Sequence, residues 1–129
     1  MTNVIAIVAG AFVTLMVVMQ VVVRLQARAM RGKPVPALGG RVGELVRRAQ
    51  PALLYFHSPT CGACRAITPR MRELASKGSP VELVDVSQEL DLARAFRVMA
   101  TPSFVEVAAG KVVALHVGPP PADLLARFS

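Results

Sequence analysis

Cys61 and Cys64 are the only thiols in a chain of 129 residues, and they stand as Cys61-Gly62-Ala63-Cys64. Two thiols separated by two residues can close a small disulfide and reopen it. The apolar run before them, 52–57, suits a buried strand. After them Ile67, Met71, Leu74 and Ala75 recur at helical spacing. The pair therefore falls at a strand-to-helix junction. A helix N-terminus offers unpaired N–H groups and a partial positive charge. Both favour a thiolate at Cys61, and the thiolate is the reactive form. These residue types in this position point to a redox centre. A structural zinc site usually needs four ligands. The other soft ligands here, His57 and His116, match no zinc spacing, so neither a metal nor any other cofactor is expected.

The elements that must hold this pair can be read along the chain. A short helix is expected at 42–49, stopped by Pro51, and the first strand at 52–57. The helix after the cysteines should end near Lys77-Gly78, a basic last turn and a glycine stop, with Pro69 kinking it. A second strand is expected at 81–86, and Leu90, Ala93 and Phe96 mark another helix. The stretches 103–107 and 111–117 read as a hairpin with Gly110 in its turn. A short helix at 122–128 follows. A strand-helix-strand unit followed by a hairpin predicts an α/β fold with a mixed sheet. The cysteines then sit at the C-terminal end of the first strand, where open α/β sheets place their sites.

Residues 4–23 carry no charge. As a helix rising about 1.5 Å per residue they span a bilayer core of about 30 Å. Ala27-Arg28-Ala29 has the look of a signal-peptide cleavage site. The start, Met1-Thr2-Asn3, lacks a basic residue, however, and the apolar run exceeds a usual signal core. An uncleaved anchor is therefore expected over 1–24, with lipid contact through 4–23. Ala6, Gly10 and Thr14 form a small-residue stripe that reads either as a helix-pairing face or as ordinary lipid-facing positions. The net charge of +7 is concentrated next to this anchor. Residues 24–50 hold seven basic residues and one acid, residues 51–129 eight and seven. A basic membrane flank stays cytoplasmic as a rule and attracts anionic headgroups. It does not indicate nucleic-acid binding, for which aromatic and Gly-rich support is missing. Gly32, Pro34, Pro36, Gly39 and Gly40 mark 25–41 as a linker.

The stretch Phe56-His57-Ser58-Pro59-Thr60-Cys61-Gly62-Ala63-Cys64-Arg65-Ala66-Ile67-Thr68-Pro69 resembles the active-site segment of the thioredoxin family. Met99-Ala100-Thr101-Pro102-Ser103-Phe104 resembles that family's cis-proline loop. Gly110 and Val117-Gly118 match the glycines of its final hairpin. The resemblance covers about 42–129. It implies a thioredoxin-like fold, a mixed central sheet flanked by helices, behind a single transmembrane helix. It also implies a thiol-disulfide oxidoreductase that reduces protein disulfides and is recharged by an upstream thiol reductant or reductase. Cys61 is implied to be the nucleophile and Cys64 the resolving thiol. Thr60, Gly62, Ala63, Thr101 and Pro102 are implied to contact substrate, with Pro102 cis. Three positions depart from the family pattern. Thr60 stands for its tryptophan, Gly62-Ala63 for its Gly-Pro, and Tyr55 for a buried acid that helps deprotonate the resolving thiol. Tyr55 reads as a core aromatic with a hydrogen-bonded hydroxyl. A nearby water, or Glu82 or Asp85 on the next strand, would be the substitute for the acid. Arg65 would either lower the Cys61 pKa or be solvated. The alternatives to a cytoplasmic reductase are a periplasmic reductant in cytochrome c maturation or disulfide handling, and a non-catalytic binding scaffold. A bacterial inner membrane is the expected location.

Overall fold

The computed structural model describes residues 1–35 and 38–129. The chain runs α1 (Thr2–Ala29), α2 (Gly40–Arg47), β1 (Ala52–His57), α3 (Cys64–Ser76), β2 (Val81–Asp85), α4 (Leu90–Ala95), β3 (Ser103–Ala108), β4 (Lys111–Val117) and α5 (Ala122–Arg127). The four strands form one sheet in the order β2-β1-β3-β4. β1 pairs parallel with β2, and antiparallel with β3. The β3–β4 hairpin turns through Ala109 and Gly110, both at positive φ (51° and 76°), the conformation a tight two-residue hairpin demands. This is the expected mixed sheet with helices on both faces.

Alternation along β1 splits the core in two. Leu54 and Phe56 pack with Val84, Val105, Phe96 and the α2 residues Leu45 and Val46. Leu53 and Tyr55 face the other way, onto Met71 and Leu74 of α3, Phe104, and Leu124 and Phe128 at the C-terminal end. Every β1 residue except His57 is buried, as a strand covered on both faces must be.

Two boundaries differ from the sequence expectation. α2 begins at Gly40 and ends at Arg47 rather than spanning 42–49. Its last turn opens because the hairpin takes its carbonyls: Gly110 N–H donates to Val46 O (2.8 Å) and Ala109 N–H to Arg48 O (2.6 Å). The second difference is larger. The helix does not stop at Arg24 but continues to Ala29, and the residues after it are not a free linker. Met30 is buried in the core. Gly32 N–H donates to Val112 O (2.7 Å), Val112 N–H to Lys33 O (3.0 Å) and Val35 N–H to Gly110 O (2.9 Å). Residues 32–35 thus line the outer edge of β4, where the bridge Pro34–Lys111 is antiparallel. Proline suits this edge because its missing N–H need not find a partner. Pro36, also read as a linker residue, lies outside the described residues.

Gly43 fixes how closely α2 approaches the preceding chain. A Cβ there would fall on the backbone carbonyl of Leu38, whose carbon lies 2.7 Å away. Gly43→Ala is expected to destabilise the protein by about 1–3 kcal/mol, as overpacking does. A thermal melt of the variant beside wild type reads this directly. An unchanged Tm would show that the Leu38 backbone yields freely.

Candidate functional site

β1 ends at His57, and the loop 58–63 carries the chain from the sheet into α3. Ser58 organises this loop. Its Oγ accepts from Thr60 N–H (3.2 Å), its hydroxyl pairs with that of Thr60 (2.9 Å), and its carbonyl accepts from Cys61 N–H (3.2 Å). α3 then begins at Cys64 with no side-chain cap, which leaves its first amides free for other acceptors. One of them, Cys64 N–H, points at Cys61 Sγ at 3.2 Å. A donor so placed favours negative charge on that sulfur once the pair is reduced.

Cys61 and Cys64 are joined as a disulfide, with their Cα atoms 5.3 Å apart. Cys64 is buried (2% exposed), whereas Cys61 is partly exposed and Gly62 and Ala63 are open to solvent. Only one sulfur of the pair can therefore be approached from outside.

The second loop meets the first by strand register. Phe56 pairs with Ser103, so Thr101 and Pro102 at the head of β3 share the sheet end that bears the cysteines. The Thr101–Pro102 peptide bond is cis. The loop is held from both sides: Ser103 Oγ donates to Ala100 O (2.6 Å) and Gly118 N–H donates to Pro102 O (2.9 Å). Thr60, Gly62, Ala63 and Thr101 are accessible and Pro102 is buried. All seven residues singled out in the sequence lie at one end of the sheet.

Beneath them Tyr55 is fully buried, stacked on Phe104 with ring centroids 5.1 Å apart. Its hydroxyl is hydrogen-bonded to Thr68 Oγ1 (2.9 Å), one turn along α3 from Cys64. Tyr55 is thus the core aromatic with a satisfied hydroxyl that the sequence suggested. Burial raises its pKa above 10.0, opposed by the Thr68 hydrogen bond. Neither carboxylate proposed as a substitute for the missing acid is available. Glu82 is tied to Arg41 (2.6 Å). Asp85 accepts from Ser87 Oγ (2.6 Å) and Ser87 N–H (2.9 Å), and these bonds hold it below its usual range. Arg65 is exposed and makes no ion pair among the described residues.

Tyr55 is the sole tyrosine in a chain without tryptophan, so tyrosinate absorbance reports this one group. The sign is fixed by the raised pKa. Above pH 10.0 an unfolded chain releases the proton first, so stability falls as pH rises from there through the folded value. Tyr55→Phe is expected to remove this alkaline loss and to cost about 1 kcal/mol at neutral pH, the worth of one hydrogen bond. A tyrosinate midpoint at or below 10.0 in the folded protein would contradict the burial.

One buried charge was not foreseen. Glu106, with 4% of its side chain exposed, accepts from Arg127 Nη1 (2.7 Å) and pairs with His116 Nε2 (2.8 Å). It joins the hairpin to α5. The signal was present in the sequence: a single acid between two valines in a strand with no other charge. His57 stacks on Tyr55 at 5.3 Å between centroids, so the two histidines serve different places.

Residues 42–129 match the thioredoxin family model. Thioredoxin H7 of Arabidopsis thaliana is 38% identical over 78 residues, which is 59% of this chain and 60% of that protein. Mitochondrial thioredoxin of Mus musculus is 32% identical over 87 residues, 65% of this chain and 52% of that protein. Among solved structures, the X-ray structure of Fasciola hepatica thioredoxin superposes with a TM-score of 0.57 at 29% identity, covering 68% of this chain and 91% of that one.

Proposed function

Because the chain belongs to the thioredoxin family, we propose that it is a membrane-tethered thiol-disulfide oxidoreductase reducing protein disulfides through Cys61 and Cys64. The observation that carries this is the asymmetric pair itself. A reachable Cys61 lies above a buried Cys64 whose N–H points at the Cys61 sulfur. In the dithiol state the Cys61 thiolate attacks a substrate disulfide. One substrate sulfur leaves as a thiolate and takes up a proton, and Cys61 holds the other in a mixed disulfide. Cys64, deprotonated, then attacks Cys61 Sγ and releases the second substrate thiol. Two electrons pass to the substrate, and the Cys61–Cys64 disulfide remains. An upstream thiol reductant or reductase restores the dithiol. Thr60, Gly62, Ala63, Thr101 and Pro102 form the rim on which an extended substrate segment would lie.

The tether is α1, a helix long and apolar enough to cross a membrane, with none of its residues buried. The basic residues that follow it favour a cytoplasmic domain, in a compartment that keeps thiols reduced. Labelling of Cys61 by a membrane-impermeant maleimide, after a permeant reductant, tests the side. In spheroplasts, labelling is expected only after lysis. Labelling of intact spheroplasts would put the domain outside and favour a periplasmic reductant.

A further inference from the structure

The geometry points to a binding site for an anionic phospholipid in the groove between α1 and the sheet domain. This rests on α1 being in a bilayer, as proposed above. The groove encloses about 850 Å³, within the range of about 300–1,000 Å³ usual for small-molecule sites. One wall is α1, including Val22 and Val23; the other includes Met99 and Val117, with Arg94 and Arg97 supplying the charge.

Its direction follows from how α1 lies on β4. Gly32, just past the helix, is bonded to Val112 near the start of β4. Earlier turns of α1 accompany its end: Val23, Arg24 and Ala27 share a smaller cleft with Val117 and Pro119. α1 therefore runs antiparallel to β4, and its apolar stretch leaves the domain at the sheet end that bears the cysteines and Pro102. With residues 4–23 in the hydrocarbon, Arg24 marks the headgroup level. Val117 shares the smaller cleft with Arg24 at that level, and the exposed Met99 (84%) lines the groove with Val117. The α1 wall of the groove extends from Met19, within the apolar stretch, to Met30 at the domain end of the helix.

Such a cleft is apolar along the helix and cationic on the opposing wall, which is the layout of an acyl chain ending in a phosphate. The cations are available. Arg97 makes no ion pair among the described residues. Arg94 has only a loose contact with Asp91, at 3.8 Å, between side chains 71% and 102% exposed, which is worth little. No acid lines the groove among the described residues. A zwitterionic lipid brings its own cation to the same place and gains less.

The test uses the full chain in detergent micelles, titrated with phosphatidylglycerol or phosphatidylcholine, with bound lipid counted by native mass spectrometry. Two groove-lining cations set an expected preference of about thirtyfold for phosphatidylglycerol. The double variant Arg94→Gln/Arg97→Asn is expected to fall to within about threefold of no preference. Asparagine is chosen because Arg97 has φ 53°, which Asn tolerates. Both positions are exposed, and an unchanged Tm and unchanged reduction of a small soluble disulfide confirm that the variant is intact. Arg70→Gln/Arg72→Gln, on α3, removes the same two charges and is the control for net charge. An equal loss in the control, or an undiminished preference in the double variant, would overturn the site and assign the attraction to the basic flank as a whole. Flotation with phosphatidylcholine liposomes separates the two readings. A chain that does not float removes the tether and this site together; one that floats without the lipid preference removes the site alone.

Discussion

Cys61→Ser is expected to drop catalysed disulfide reduction by the full chain by at least about 10³-fold, the scale on which loss of an enzyme nucleophile acts. Serine keeps the shape of the loop and the Ser58 hydrogen bonds to it, so the protein should fold. It replaces the accessible sulfur by a hydroxyl that is not ionised at neutral pH. Cys64 cannot take over, because it is 2% exposed and the substrate would have to enter the protein to meet it. Cys64→Ser separates the two steps. Its Cys61 still attacks, but nothing resolves the product, so a stable mixed disulfide accumulates at one substrate per chain. Multiple turnover is lost while the first bond exchange survives. Mass spectrometry of the trapped adduct and a turnover assay with a reduced carrier read both outcomes. Full activity of Cys61→Ser would refute the redox reading and favour a binding scaffold.

The resolving step is where this chain differs from its family pattern. A neutral hydroxyl pair, Tyr55 with Thr68, stands below Cys64, and burial disfavours the tyrosinate. Tyr55 is therefore no proton acceptor at neutral pH. The proton of Cys64 has to leave by another route or be lost directly as the mixed disulfide rearranges. Slow resolution, visible as mixed disulfide in the wild-type protein during turnover, follows from that arrangement.

What could be read in the sequence was what local chemistry writes there. β1 announced itself by an unbroken apolar run between Pro51 and Ser58-Pro59. The β3–β4 hairpin was marked by Gly110, and the end of α3 by Lys77-Gly78. The cysteine pair and Thr101-Pro102 are brought together by strand register, as the family resemblance implied and the element order alone did not. What escaped notice depends on contacts between distant segments. Residues 32–35 are Gly- and Pro-rich and look like a tether, because edge pairing requires little of a side chain. Their partners on β4 lie nearly eighty residues away along the chain. Glu106 is buried only because Arg127 and His116, distant along the chain, close over it. Met30 follows a helix whose other residues are all outside the core, so periodicity gave it no special place.

Met30 is nevertheless the residue that joins the long apolar helix α1 to the sheet domain. Its side chain is 5% exposed and packs into the cluster of Leu54, Phe56, Val105 and Val112. The three backbone bonds of residues 32–35 begin directly behind it. Met30→Ala is expected to cost about 2–3 kcal/mol, the lower part of the range for truncating a buried methionine. That corresponds to about 10–20 °C in Tm for a domain of this size. Met30→Leu conserves volume and should cost less than about 1.5 kcal/mol. If the side chain pins the strap, exchange of the Gly32, Val35 and Val112 amides will accelerate in Met30→Ala and not in Met30→Leu. Reduction of a small soluble disulfide should be unchanged in both, since neither touches the cysteine loop. A domain that melts at the wild-type temperature after Met30→Ala would mean that α1 is only a leash. The sheet domain would then be free to tilt relative to α1. With Met30 seated, α1 keeps one arrangement on β4, and on the tether proposed above the disulfides within reach of Cys61 would be those presented close to the membrane surface.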